Sequence, residues 1–267
     1  MLSNIMTKAR QTETNPAPLP LFYREPVLIR FEDHHNVGLL AETHFGFATE
    51  AIAIPLCTSE FAVATRHYPI VFAQAEPAMP LAVVGLTEGR NLFLERDGAW
   101  RAGSYVPAYV RRYPFIAMEL PDKTQQLLAL DHASERVVTP VAGRSDAQPL
   151  FDDAGEPTPF TQSAMAFCHA YHADFLATIA FSQALAAARL LIPANAEMQF
   201  PDGNRHALNG FRGIDEAALR RLPTRTVASW HAKGWLDLTA LQLASRFNWQ
   251  GLLDLKAQRE AHRKALM

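Results

Sequence analysis

Apolar and polar positions change their rhythm near residue 150. Before it, short apolar runs alternate with turn-forming residues, and 82–85, 91–95 and 99–106 read as strands. The last two are joined by Asp97-Gly98, a dipeptide that accepts the positive φ angles of a tight hairpin turn. A punctuated stretch, 148–159, carries Asp152, Asp153, Gly155, Pro157 and Pro159 and reads as a loop. From Thr161 the pattern is helical: Ala164, Phe167, Cys168, Tyr171, Phe175, Ile179 and Leu185 form a core-facing stripe, and Pro193 is expected to end that helix. A second hairpin is predicted over 197–208, turning at Asp202-Gly203. Short helices follow: Asp215 opens 216–219 ahead of Pro223, Thr224 or Thr226 opens the helix through Trp230 that stops at Gly234, Asp237 opens 238–245, and Asn248 opens 249–266. The predicted class is α+β, with a β-rich N-terminal half containing hairpins and a helical C-terminal half packed against it. Residues 1–18 read as a disordered tail punctuated by Pro16 and Pro18, 19–150 as the β-rich region and 151–267 as the mainly helical region of one integrated unit.

Composition narrows the class of protein. In 267 residues, 49% apolar and 19% charged residues suffice for a proper core and exclude wholesale disorder. A formal charge of −2 gives the molecule no general attraction for nucleic acid, and no nucleic-acid partner is expected. Two cysteines, Cys57 and Cys168, cannot build a disulfide framework or a four-thiolate zinc site. Residues 1–15 are polar without an apolar core, so no secretory signal is expected. The stretch 175–194 is broken by Ser182, Gln183, Arg189 and Pro193, which suits a buried helix better than a transmembrane segment. Cytoplasmic residence is the resulting expectation. Charge is uneven: 205–267 holds eleven Lys and Arg against five Asp and Glu, a net of +6, while 1–204 holds 14 against 22, a net of −8. Lys256, Arg259, Arg263 and Lys264 on the last helix would suit an acidic partner, an anionic membrane or RNA. Cations at a helix C-terminus and packing of the basic half on the acidic half explain them more simply.

Candidate chemistry centres on an internal echo. Arg66-His67-Tyr68-Pro69-Ile70-Val71 resembles Arg111-Arg112-Tyr113-Pro114-Phe115-Ile116, and in each copy proline disfavours helix at the tyrosine, predicting a helical turn that hands over to a strand. The ligand-binding reading brings Arg66, His67, Tyr68, Arg111, Arg112 and Tyr113 into a shared pocket for an anion or aromatic molecule. The packing reading has each arginine and tyrosine serving its own turn, and it is favoured because buried aromatics with a polar tip mostly serve packing. His67 beside Arg66 and Tyr68 is a conceivable acid-base group, but no nucleophile accompanies it. Cys168 and His172 share a helical face and are the best metal candidates, with Asp174 diverging and His206 or His231 as a borrowed third ligand. No metal and no cofactor is expected. His34-His35 reads as a solvated pair. The chain has no G-x-G-x-x-G, G-x-x-x-x-G-K, H-E-x-x-H or G-x-S-x-G motif, and no catalytic residue is assigned.

Several short segments in fixed order go further. Leu19 to Tyr23, Glu60-Phe61 before the first echo copy, Gly85-Leu86, Asn91-Leu92-Phe93, Asp97-Gly98 with Trp100, and Tyr105 through Phe115 resemble the SapC family. Leu150-Phe151-Asp152 with Gly155, Asp202-Gly203, Gly210-Phe211, Ile214-Asp215, Trp230, Gly234 and Asn248-Trp249 continue the likeness, over roughly residues 19–255. The resemblance implies a context of S-layer or peptide export, or of gene clusters with TonB-dependent receptors and flavin-dependent tryptophan halogenases. It supplies no catalytic residue and no cofactor. The expectation is a soluble accessory or binding protein without catalysis of its own, partnered by a protein such as an envelope transport or modification component. The alternative is an enzyme of unrecognised type, sited at the two Arg-x-Tyr-Pro segments or at a Cys168/His172 metal centre.

Overall fold

A computed structural model of the chain describes residues 19–41, 44–87, 89–119, 126–199 and 205–265; the expected tail, 1–18, lies outside them. The first half carries β1 (Pro26–Leu28), α1 (Phe31–His34), β2 (Gly38–Leu40), β3 (Ala53–Pro55), α2 (Phe61–Ala64), β4 (Ile70–Ala73), β5 (Pro80–Val83), α3 (Ala108–Arg111), β6 (Phe115–Glu119), β7 (Gln126–Asp131), β8 (Val137–Val138) and β9 (Ala147–Pro149). The second half carries α4 (Pro159–Ala187), β10 (Leu191–Gln199), β11 (Arg205–Ile214), α5 (Glu216–Arg220), α6 (Thr224–Ala232), α7 (Trp235–Ser245) and α8 (Asn248–Ala265). The class is α+β, as the sequence pattern predicts.

Every strand pairing is antiparallel. The largest sheet runs β10-β11-β4-β5-β3, and two three-stranded sheets run β1-β7-β6 and β8-β2-β9. Both echo copies are helical turns feeding strands: α2 leads into β4 at the centre of the large sheet, and α3 leads into β6 at the edge of a small one. Proline stops each helix, and the aliphatic and aromatic residues behind it favour the pleated surface. The predicted second hairpin is present and longer, pairing Leu191 with Ile214 through Gln199 with Arg205; its turn, 200–204, lies outside the described residues.

Two expectations need correction. Residues 91–106 form no strand pair beyond a single bridge, Leu94 with Trp100, around the turn where Gly98 takes a φ of 79°. Asn91 competes with a ladder there: its Oδ1 accepts from Phe93 N–H at 2.8 Å and its Nδ2 donates to Ala48 O at 3.2 Å. The segment coils and buries Leu92, Phe93, Leu94 and Trp100. The long helix, in turn, ends before Pro193. Arg189 adopts the left-handed conformation (φ 55°), Leu190 N–H reaches Leu185 O at 3.0 Å, and Arg189 N–H reaches Ala186 O at 2.9 Å. That is a Schellman turn closed by the buried Leu185 and Leu190, and it leaves Pro193 inside β10 opposite Arg212.

The start of α4 follows its residues, with Thr158 Oγ1 accepting from Thr161 N–H at 3.3 Å and Pro159 in the first turn. Its buried face is Thr161, Cys168, Tyr171, Thr178, Phe181, Ser182 and Leu185, whereas Phe175 and Ile179 are only half-buried. Asp215 caps α5 through Ala218 N–H at 3.0 Å, and Gly234 (φ 69°) separates α6 from α7. No helix among the described residues is long and apolar enough to cross a membrane.

The main core joins Ile54, Phe61, Tyr68 and Phe72 of the first half to Phe181, Leu185, Trp230 and Leu252 of the second. At its centre Tyr68 has no exposed surface; its hydroxyl donates to Tyr105 O and accepts from Trp100 Nε1 at 3.1 Å. Tyr68→Phe strands a buried carbonyl and a buried indole N–H, so stability should fall by about 2–4 kcal/mol. Urea unfolding measures this, and an unchanged midpoint would contradict the assignment.

Candidate functional site

The two echo copies are held by different neighbours. Around the first, Asn248 Nδ2 donates to Thr65 O at 2.7 Å and Tyr68 O at 3.0 Å. Ile70 N–H donates to Ser245 Oγ, and Gln242 Nε2 donates to Ile70 O, both at 2.9 Å. The C-terminal helices thus latch this turn, with Arg66 exposed and His67 partly exposed at its surface. Burial first, and Arg66 second, lower the His67 imidazole below the ordinary histidine value.

The second copy is packed on aromatic faces. Arg111 lies 5.2 Å from the Phe167 ring centroid and 5.7 Å from that of Tyr105, and its Nη2 donates to Tyr105 Oη at 3.2 Å. Arg112 sits between Tyr109 (4.3 Å) and Tyr171 (4.4 Å), with Tyr23 at 5.6 Å. Its Nε is buried without a hydrogen-bond partner, and it forms no ion pair among the described residues. Cation–π attraction takes the place of a counter-ion. Burial raises the phenols of Tyr23, Tyr109 and Tyr171, so they stay neutral beside the cation.

Tyr113 points elsewhere, donating to Asp131 Oδ2 at 2.8 Å. Of the six residues, Tyr113 lines one hollow and Arg111 another, and Arg66, His67, Tyr68 and Arg112 line neither of these two. Cys168 is buried in a small core with Leu39, Phe115 and Leu130, and burial raises its thiol pKa to about 11, which keeps the thiol protonated. His172 lies on the half-buried flank of α4 with its ring 6.5 Å from Phe175, Asp174 accepts from Ser59 Oγ at 2.7 Å, and the side chain of His206 lies outside the described residues. Among the described residues no three His, Cys, Asp or Glu side chains gather as metal ligands. His34 is buried rather than solvated, its Nδ1 meeting the Arg30 backbone; His35 is exposed.

The hollow beside Tyr113 has a volume of about 440 Å³ and is lined by Phe22, Arg24, His44, Gly46, Phe47, Tyr113, Ser134, Glu135 and Arg136. Phe47 lies tilted against Tyr113 with ring centroids 4.1 Å apart and meets Phe22 edge-on at 5.2 Å, giving an aromatic floor. Two arginines, Arg24 and Arg136, line the same hollow. Arg136 donates to Leu40 O at 2.9 Å while its Nε is buried without a partner, and desolvation lowers its pKa. Arg24 donates to Ala133 O. The oxygens of the buried Asp131 accept from Tyr113 and from the backbone N–H groups of Arg24 (3.1 Å) and Glu25 (2.6 Å), and neither guanidinium forms an ion pair among the described residues. His44 Nδ1 accepts from Gly46 N–H at 3.2 Å, leaving Nε2 facing outward, 3.9 Å from the exposed Glu135. Such a surface suits a planar or apolar molecule ending in a carboxylate or phosphate. Sequence reasoning singled out only Tyr113 here. Arg24, His44 and Arg136 come from three separated loops and share no spacing that could reveal them.

Fold and hollow together define a class: an antiparallel α+β protein presenting a guanidinium-lined aromatic pocket. The SapC family model matches residues 29–252, and the chain belongs to the SapC family. All of the pocket except Phe22 and Arg24 falls within the matched span. No curated protein and no solved structure matches the chain.

The second hollow, about 260 Å³, has Glu60 and Tyr171 at its wall beside Arg111. Glu60 is 5% exposed, and desolvation raises its pKa above the ordinary carboxylate value against three hydrogen bonds and Arg111, which lower it. A carboxyl that holds its proton more tightly when folded than when unfolded stabilises the fold most below the unfolded value. That contribution is lost as pH rises through the folded value. From about pH 4 upward, the urea midpoint of the wild type should fall relative to that of Glu60→Gln. Equal slopes in the two proteins would refute this account.

Proposed function

We propose that this SapC-family chain is a non-catalytic binding protein of the cytoplasm. It works beside an envelope transport or modification component and recognises a ligand with an anionic group on an aromatic or apolar body. The observation that carries the reading is the pair Arg24 and Arg136, two guanidinium groups without an ion pair among the described residues, lining one hollow with Phe22, Phe47 and Tyr113. A cation already desolvated at its Nε has little further hydration to lose, so an incoming carboxylate gains a charge-assisted bond at reduced cost. The regions 19–150 and 151–267 are taken to act as one unit, because the largest core is built from both.

The enzyme alternative has its best foothold at Glu60, yet both oxygens of that carboxylate already accept hydrogen bonds from Cys57, Tyr105 and Ala108. The binding reading is therefore preferred. 3-Phenylpropionate, titrated by calorimetry or by amide chemical shifts, should bind and perturb residues around Phe47 and Tyr113, and its uncharged amide should bind at least about tenfold more weakly. Arg136→Met should lose a similar factor while still folding. If acid and amide bind alike, or neither binds, the proposal fails.

A further inference from the structure

Gly46 belongs both to the pocket and to a larger hollow of about 880 Å³. Phe45 N–H donates to Gly98 O at 2.7 Å, so the chain around Gly46 runs along the Asp97-Gly98 turn. Two glycines form that ridge, and His44 packs on it: a Cβ on Gly98 would lie 3.3 Å from His44 Cβ, and one on Gly46 would lie 3.1 Å from His44 Nδ1. A side chain at either position would crowd the imidazole that marks the passage.

Beyond the ridge the charge continues. The larger hollow carries Arg90, Arg96, Arg101 and Arg259 against Glu95 and Asp97. Arg259 forms an ion pair with Glu95 at 3.3 Å, and Asp97 Oδ1 accepts from Ala99 N–H at 3.0 Å. Arg90, Arg96 and Arg101 have no ion pair among the described residues. Unpaired guanidinium groups therefore line both hollows that meet at Gly46, Arg24 and Arg136 in the first and Arg90, Arg96 and Arg101 in the second.

We propose that the two hollows form one groove for an acidic peptide segment of a partner protein, with an aromatic side chain and its adjoining carboxylate seated over Phe22 and Phe47. This deepens the anion-pocket reading and rests on it. A peptide fits better than a nucleic acid because Glu95 and Asp97 stand among the arginines. A chain with a phosphate at every step meets those carboxylates with like charge, whereas an acidic peptide alternates carboxylates with backbone N–H groups that carboxylates accept.

The test is fluorescence anisotropy on the full chain with a labelled peptide of about ten residues, rich in Asp and Glu and containing one Phe. The peptide should bind with an affinity that falls as salt rises, and replacing its Phe by Ser should weaken it. The double variant Arg96→Ser/Arg101→Ser, checked for an unchanged melting temperature, should bind the peptide about fivefold or more weakly and 3-phenylpropionate as tightly as the wild type. Arg136→Met should weaken both. A double variant that binds the peptide normally overturns the groove while leaving the pocket reading intact; loss of 3-phenylpropionate binding in the wild type sinks the pocket instead. Displacement of the peptide by a single-stranded oligonucleotide of equal charge, more effectively than by unlabelled peptide, would assign the groove to nucleic acid and refute the proposal.

Discussion

One buried carboxylate joins the two echo copies. Glu60 Oε2 accepts from Cys57 N–H at 2.8 Å, closing a capping box on the single turn Thr58–Glu60, and Oε1 accepts from Ala108 N–H, the first residue of α3, at 2.7 Å. Helix starts leave N–H groups free, and this single side chain satisfies one in front of each echo turn. Its third bond comes from Tyr105 Oη at 2.8 Å, and the carbonyl of the same tyrosine accepts from Tyr68 in the core. The chain of contacts Tyr68–Tyr105–Glu60–Ala108 fixes where α2 and α3 begin, and hence where β4 and β6 leave them. Desolvating a carboxylate is costly, and the three donors together are what make that burial tolerable.

What was legible in the sequence was mostly local. Asp215 caps α5 with its own carboxylate, and Pro223 and Gly234 act through their own backbones, so α5 and α6 lie where these residues put them; α7 starts at Trp235, directly behind Gly234, and not at the expected Asp237. The proline in each echo copy works in the same way, since its ring restricts the tyrosine before it whatever the surroundings. Outcomes set by distant partners could not be read. Residues 91–106 have strand-like composition, yet Asn91 ties that backbone to Ala48, 43 positions away. The end of α4 depends on Leu190 finding a buried place against Leu185, which lets a non-glycine residue turn left-handed earlier than Pro193 would require. Arg24, His44 and Arg136 form a site only because strands that are distant in sequence pair and bring their flanking loops to one rim.

The uneven charge of the chain is partly resolved by contact. Arg212 pairs with Glu76 at 2.9 Å and Arg259 with Glu95 at 3.3 Å, both joining the basic second half to the acidic first half. Lys256 is 8% exposed and lies 3.9 Å from Glu260 on its own helix. The side chains of Arg263 and Lys264 lie outside the described residues. The favoured sequence reading, that the two halves pack on one another electrostatically, has these two cross-links behind it.

Arg112 has a consequence for how this position can drift. Its flat cation fills the slot between Tyr109 of α3 and Tyr171 of α4, so the spacing of those helices is gauged by the thickness of one guanidinium between two rings. Lysine has the charge without the plane, glutamine the plane without the charge, and an aliphatic residue neither. Replacement there would therefore tend to come together with a change at Tyr109 or Tyr171, so that the three sites would vary as a set among descendants of this chain.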